Sequence, residues 1–142
     1  MTLYTNSMDQ LVIPSLIHLP SFLDIRGNLS FIEEDTHIPF KMKRIYWIYD
    51  VPGGEHRGGH AFFETEEVIV ALSGSFEVVL FDGLKEFRFS LNRSYFGVFV
   101  PKMTWRMLEN FSTNSLALII ASTEYSESDY IRDKDEFTNH TR

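Results

Sequence analysis

Apolar residues along this chain fall in short, strand-sized runs, and most runs end at a break carrying glycine, proline or aspartate. Arg44-Ile45-Tyr46-Trp47-Ile48-Tyr49-Asp50 is dense in aromatic and β-branched side chains, which suit a pleated, half-buried surface, and it closes at Val51-Pro52-Gly53-Gly54. Glu67 to Leu72 runs into Ser73-Gly74-Ser75, and Phe76 to Phe81 runs into Asp82-Gly83, the strongest short hairpin signal in the chain. Two hairpins in succession predict a meander. Lys85 to Leu91, Phe96 to Val100, Thr104 to Leu108 and Leu116 to Ala121 continue the series at regular spacing, as in a sandwich or barrel. Upstream, Leu11 to Ile17 carries a proline and reads as an edge strand, Asp24 to Asn28 as a turn, and Leu29 to Glu33 as an alternating strand. The tail differs: after Ser126, the segment from Glu127 to Asp133 predicts a short helix capped by that serine, with Tyr130, Ile131 and Phe137 packing back. The expected fold is all-β with a short C-terminal helix. A chain of 142 residues has room for one core, so a single domain over residues 1–142 is expected.

Composition narrows the class. A hydrophobic content of 44% with 15% aromatics suits a folded globular chain, and no apolar run approaches the ~20 residues needed to cross a bilayer. Met1 to Gln10 lacks the basic start and apolar centre of a signal peptide, so a cytoplasmic protein is expected. The absence of cysteine excludes disulfides, thiol nucleophiles and zinc–cysteine sites. A formal charge of −7 disfavours a nucleic-acid partner, which needs a basic face to displace phosphate counterions. Basic residues still cluster locally. Lys41, Lys43 and Arg44 are near neighbours, and Arg26, Arg57, Arg106 and Arg132 would suit a small anionic ligand if the fold gathered them into one cavity.

The candidate chemistry centres on one histidine. Arg57-Gly58-Gly59-His60-Ala61-Phe62, followed by Glu66-Glu67 and Gly74, resembles the first motif of a cupin barrel with one ligand replaced. In a metal-binding barrel of that kind a His-x-His pair puts both imidazoles on one face, because strand side chains alternate with period two. Here Phe62 takes the second place, and after Pro101 the segment to Trp105 leads to Arg106, a cation that would repel a metal. No metal and no other cofactor are expected, which leaves His60 as a single titratable group among aromatics. Glu66 and Glu67 are adjacent, so a strand would point only one of them inward. His37, His56 and His140 read as solvated.

Longer stretches carry a family resemblance: Arg26-Gly27-Asn28-Leu29, Ile38-Pro39-Phe40 with Lys43-Arg44-Ile45-Tyr46, Arg57 to Ala61, Leu72 to Ser75, and the tail Glu124 to Arg132. In these the chain resembles, nearly end to end, the cupin-fold sugar-nucleotide 3,4-ketoisomerases, which turn a dTDP-4-keto-6-deoxyglucose into a 3-keto sugar on the way to bacterial surface glycans. The resemblance implies a jelly-roll barrel, a homodimer, no required metal and a dTDP-linked keto-sugar in the barrel mouth. It also implies proton transfer by a histidine pair, of which His60 matches the first member while Phe62 stands at the second; Trp105 is kept and Arg106 replaces a later histidine. Moving a keto group between neighbouring carbons needs a base of near-neutral pKa to take a proton beside the carbonyl and an acid to return one next door. His60 and Tyr46 are the expected catalytic residues, His60 as acid/base and Tyr46 donating a hydrogen bond to a sugar oxygen or stabilising an enolate. Arg26 and Arg132 are expected to clamp the diphosphate with guanidinium forks. Arg57 binds substrate or anchors Glu67 across the barrel, and Phe62, Trp105 and Arg106 complete the pocket.

Each assignment has a plainer alternative: His60 as a core histidine, Arg26 and Arg132 as surface charges, Tyr46 and Trp105 as packing. Three functions are compatible with the residues: a ketoisomerase or related isomerase, a catalytically degenerate nucleotide-sugar-binding cupin, and a cupin that binds another small molecule.

Overall fold

The computed structural model describes residues 13–142. The first residues of the expected strand from Leu11, and the whole of Met1 to Gln10, lie outside the described residues. The strands are β1 (Ser15–His18), β2 (Ser21–Phe22), β3 (Leu29–Ser30), β4 (Arg44–Tyr49), β5 (Arg57–Phe62), β6 (Glu67–Ser73), β7 (Phe76–Phe81), β8 (Glu86–Leu91), β9 (Phe96–Val100), β10 (Trp105–Glu109), β11 (Leu116–Ala121) and β12 (Tyr130–Ile131), and one helix, α1 (Lys134–His140), follows them. They form two five-stranded sheets, ordered β1-β9-β6-β11-β4 and β12-β5-β10-β7-β8, and a small β2–β3 hairpin. The all-β expectation with one short C-terminal helix holds. No helix among the described residues is long and apolar enough to cross a membrane.

Burial explains which strand goes where. The run Val68 to Ala71 in β6 is buried throughout, because Ile69 and Ala71 face the second sheet while Val68 and Val70 face a separate cluster with Ile38, Phe40 and Phe99. A sheet covered on both faces favours continuous apolar strands, and β6 sits at its centre. In β7, by contrast, Phe76, Val78 and Leu80 are buried while their neighbours are only half-buried, the alternation of a strand with one core face.

The expected meander does not form. β7 and β8 make the hairpin, with Asp82 Oδ1 accepting from the amides of Leu84 and Lys85 at 2.8 and 2.9 Å. β6 instead pairs with β9 and β11, and the chain passes to the other sheet at Ser73-Gly74-Ser75. Gly74 has φ +67°, and a Cβ there would lie 2.8 Å from the Ser115 backbone, so the turn needs glycine. The Ser-Gly-Ser signal marked a turn correctly, but a strand buried on both sides takes partners that a local hairpin cannot supply.

The tail also differs. Ser126 makes no side-chain cap, and Glu127–Asp129 forms only a 3₁₀ turn. Tyr130 and Ile131 then join the second sheet beside Phe62 and Ala61. The helix starts at Lys134, capped by Asp133, whose carboxylate accepts from the amides of Asp135 and Glu136. Ile131 and Phe137 are fully buried with Ala61 and Trp105, so α1 covers the outer face of the second sheet. The alternation seen from Leu29 to Glu33 yields only the two-residue β3, paired with β2. The sheets do not close on the side where β4 edges the first and β12 and β5 edge the second. That open side holds the cleft described next.

Candidate active site

The cleft is built on a buried ion pair. Arg106 lies opposite His60 in the β10–β5 pairing and is 0% exposed, as is Glu67 on β6. Its Nε donates to Glu67 Oε1, its Nη1 to the Gly58 carbonyl at 3.0 Å, and its Nη2 to Tyr46 Oη at 2.9 Å. The Tyr46 hydroxyl in turn donates to Glu67 Oε2, closing the ring of contacts. Gly58 is required: its φ is +78°, and a Cβ there would lie 2.3 Å from Arg106 Nη1. Burial opposes the guanidinium charge, but the Glu67 carboxylate more than offsets it and holds the Arg106 pKa above its ordinary value. Burial drives the Tyr46 phenol well above its usual range; Arg106 pulls it down, but the charge and hydrogen bond of Glu67 help keep it high. Tyr46 is therefore a protonated, oriented hydroxyl at neutral pH.

A cleft of about 400 Å³ opens over this network, lined by Tyr46, Arg57, His60, Arg106, Tyr130 and Arg132 with neighbouring backbone. His60 is 8% exposed, its ring centroid 4.8 Å from Phe62 and 4.9 Å from Tyr130. Its Nε2 is buried and has no hydrogen-bond partner among the described residues. Burial, reinforced by Arg106, Arg132, Arg44 and Arg57, lowers its pKa to about 2. The imidazole is thus neutral with an open acceptor nitrogen, but it is a weaker base than the near-neutral one expected from the sequence.

Of the residues expected at the site, Tyr46, Arg57, His60, Arg106 and Arg132 come together. Arg132 is held by Glu127 at 2.6 and 2.9 Å and lies 4.2 Å over the Tyr130 ring. Phe62 is brought against His60 and Tyr130 but forms the wall behind the cleft rather than its lining. Trp105 goes elsewhere: it neighbours Arg106 on β10 and so faces the opposite side, where it packs 5.9 Å from Phe137. Arg57 is not the anchor of Glu67, since Arg106 fills that place. Each of the three guanidinium nitrogens of Arg106 donates one bond, to Glu67, Gly58 and Tyr46, which makes it a structural cation of the site. Arg26 stays outside the cleft, 87% exposed on the hairpin turn and paired with Asp24 at 2.8 Å. The Lys41–Arg44 patch separates: Lys41 pairs outward with Asp35, while Arg44 shares the inward face of β4 with Tyr46.

Sequence reasoning missed Tyr130 and Glu127 as site residues, because they were read as parts of a helix. No three His, Cys, Asp or Glu side chains among the described residues group closely enough to hold a metal ion.

A profile of the family described as "FdtA: WxcM-like, C-terminal" matches residues 13–142. The chain belongs to this FdtA family. It is 38% identical over 125 residues to TDP-4-oxo-6-deoxy-α-D-glucose-3,4-oxoisomerase of Aneurinibacillus thermoaerophilus, a match covering 88% of this chain and 90% of the relative. A 3,4-ketoisomerase structure from Helicobacter canadensis superposes with a TM-score of 0.88 at 40% identity, covering 92% of this chain and 98% of the other. An asparagine-for-histidine variant of QdtA, a 3,4-ketoisomerase from Thermoanaerobacterium thermosaccharolyticum solved with TDP-4-keto-6-deoxyglucose, also gives 0.88, at 30% identity over 92% and 95% of the two chains. Against this FdtA-family background, the frame of Glu67, Arg106 and Tyr46 and the His60 cleft are the features of this chain that bear on chemistry.

Two measurements check the site's energetics. Glu67→Gln leaves Arg106 buried without its counter-charge and is expected to lower the unfolding free energy by about 3–5 kcal/mol in urea titration, whereas Glu66→Gln costs about 1 kcal/mol or less. Equal losses would contradict the ion-pair account. His60 supplies the second check: its folded pKa of about 2 lies below the unfolded value of 6.5, so between the two the unfolded chain binds a proton that the folded one refuses. This contribution to stability is fully present above about pH 6.5 and is lost as pH falls, by up to about 1.4 kcal/mol per pH unit. His60→Gln should flatten the dependence of unfolding free energy on pH between about pH 6 and 5, and an unchanged slope would show that His60 is already protonated in the folded protein.

Proposed function

We propose that this protein is a 3,4-ketoisomerase of a TDP-linked 4-keto-6-deoxy sugar, with His60 as its acid/base. The observation that carries the reading is a neutral imidazole with an unpartnered nitrogen in an arginine-lined cleft beside an oriented phenol. Relatives at 38% and 40% identity are named for this reaction. The two-sheet architecture, with β6 to β7 passing between sheets, supports reading the chain as a single cupin-type jelly-roll domain.

In the reaction His60 takes the proton from C3, and the electron pair of that C–H bond forms the C3–C4 double bond as the C4 carbonyl electrons move to O4. The O4 enolate takes up a proton to give the enediol; the O3 hydroxyl then loses its proton, its O–H electrons form the C3 carbonyl, and the C3–C4 π electrons take the proton held by His60 to form the C4–H bond. Tyr46, polarised by Arg106, moves its hydrogen bond from Glu67 to the substrate oxygen that becomes negative. Arg57 and Arg132 take the diphosphate, the latter by giving up Glu127. The arriving negative charge offsets the arginines that depress His60, so the base strengthens when substrate is in place.

We also propose that the protein works as a homodimer. The β4 edge exposes Ile45, Trp47 and Tyr49, and the β2–β3 hairpin exposes Phe22, Leu23, Ile25 and Leu29, an apolar surface that suits a second copy. Such a copy would cover the hairpin that carries Arg26.

Incubation with TDP-4-keto-6-deoxyglucose in heavy water, followed by proton NMR, tests the reaction: the C3 hydrogen signal is expected to disappear as a 3-keto sugar forms, and His60→Asn to slow this at least about 100-fold. A retained C3 signal in the presence of bound nucleotide would replace the isomerase with a nucleotide-sugar-binding protein. Light scattering at micromolar concentration is expected to give twice the 16.6 kDa chain mass; the mass of a single chain would contradict the dimer.

A further inference from the structure

Arg44 is the cation of this region that the mechanism leaves unused. All three of its guanidinium nitrogens are buried and have no hydrogen-bond partner among the described residues. Its guanidinium lies 5.6 Å from the ring centroids of both Tyr46, which lines the cleft, and Tyr125, which covers it from the tail. Two arginines that line the cleft differ: Arg106 is held by Glu67 and Arg132 by Glu127. A buried cation without a counter-charge is costly, and two aromatic faces offset only part of that cost. Such a group is stabilised by an anion that can reach it.

A path for that anion is built into the tail. The Glu127 carboxylate accepts from Arg132 at 2.6 and 2.9 Å and from the Tyr125 hydroxyl at 2.6 Å. A diphosphate that takes Arg132 displaces Glu127, and Tyr125 loses its anchor and uncovers Arg44. The proposed function is the basis of this step, since it supplies the diphosphate. We propose that Arg44 is a latent phosphate-binding residue, exposed when the nucleotide's diphosphate displaces Glu127 from Arg132, and that it completes the anion site beside His60. Its position among the arginines that lower the His60 pKa makes its neutralisation felt at the base.

Calorimetric binding of TDP and of thymidine to the wild-type protein and to Arg44→Met tests this. Loss of a charge-assisted contact is expected to weaken TDP about 10- to 100-fold and to leave thymidine unchanged. In the absence of ligand, Arg44→Met is expected to melt at or above the wild-type temperature, because it removes an unpaired buried charge. An unchanged TDP affinity with a lowered melting temperature would overturn the proposal and make Arg44 a pillar between two tyrosines. Should the methionine variant fail to fold, Arg44→Lys keeps the charge but loses the fork, and a TDP affinity equal to wild type would likewise overturn the proposal. If the wild-type protein itself does not bind TDP, the proposed function falls, and the Arg44 site with it.

Discussion

The Arg106–Glu67 ion pair is the constraint on which the rest of the site depends. Both side chains are completely buried, and neither charge is tolerable there alone. The pair ties β6 of the first sheet to β10 of the second, so the distance between the sheets at the cleft is set by a hydrogen-bonded contact rather than by apolar packing alone. Saturating the guanidinium then recruits the Gly58 carbonyl and the Tyr46 hydroxyl, which fixes the β5 backbone just before His60 and orients the phenol across from it. Gly58 follows from this geometry, since no side chain fits beside the guanidinium.

Around that frame the local field differs from the charge of the whole. The chain carries a formal charge of −7, yet burial, reinforced by four arginines, keeps the His60 imidazole neutral. Such a site combines a weak base with a strong attraction for anions, and one anionic group answers both. Phe62 belongs to the same design: it and Tyr130 wall the imidazole and exclude water from its sides.

Most strand positions were legible because alternation and turn residues are local properties. Phe96 to Val100 and Leu116 to Ala121 coincide with β9 and β11. Partnership was not local, so β6 was assigned to β7 although its burial on two faces required β9 and β11. The same limit hid the centre of the site, because the 39 residues separating Glu67 from Arg106 leave no pattern by which one announces the other. Trp105 could have been placed correctly from sequence: adjacent strand residues face opposite ways, and Arg106 and Trp105 could not both line one cleft. The tail was misread because Ser126 and Asp133 both offer N-caps. The apolar pair Tyr130 and Ile131 gains more by joining β5 than by entering a helix between them.

Turnover of the double variant Glu67→Leu/Arg106→Met tests most directly whether the ion pair builds the site as well as the fold. Replacing both charges with apolar groups of similar size should restore the stability that removal of either alone destroys. The account predicts a folded protein of near wild-type stability whose rate on TDP-4-keto-6-deoxyglucose is reduced at least about 100-fold, because Tyr46 has lost both partners that orient it. A folded double variant that isomerises at the wild-type rate would contradict it.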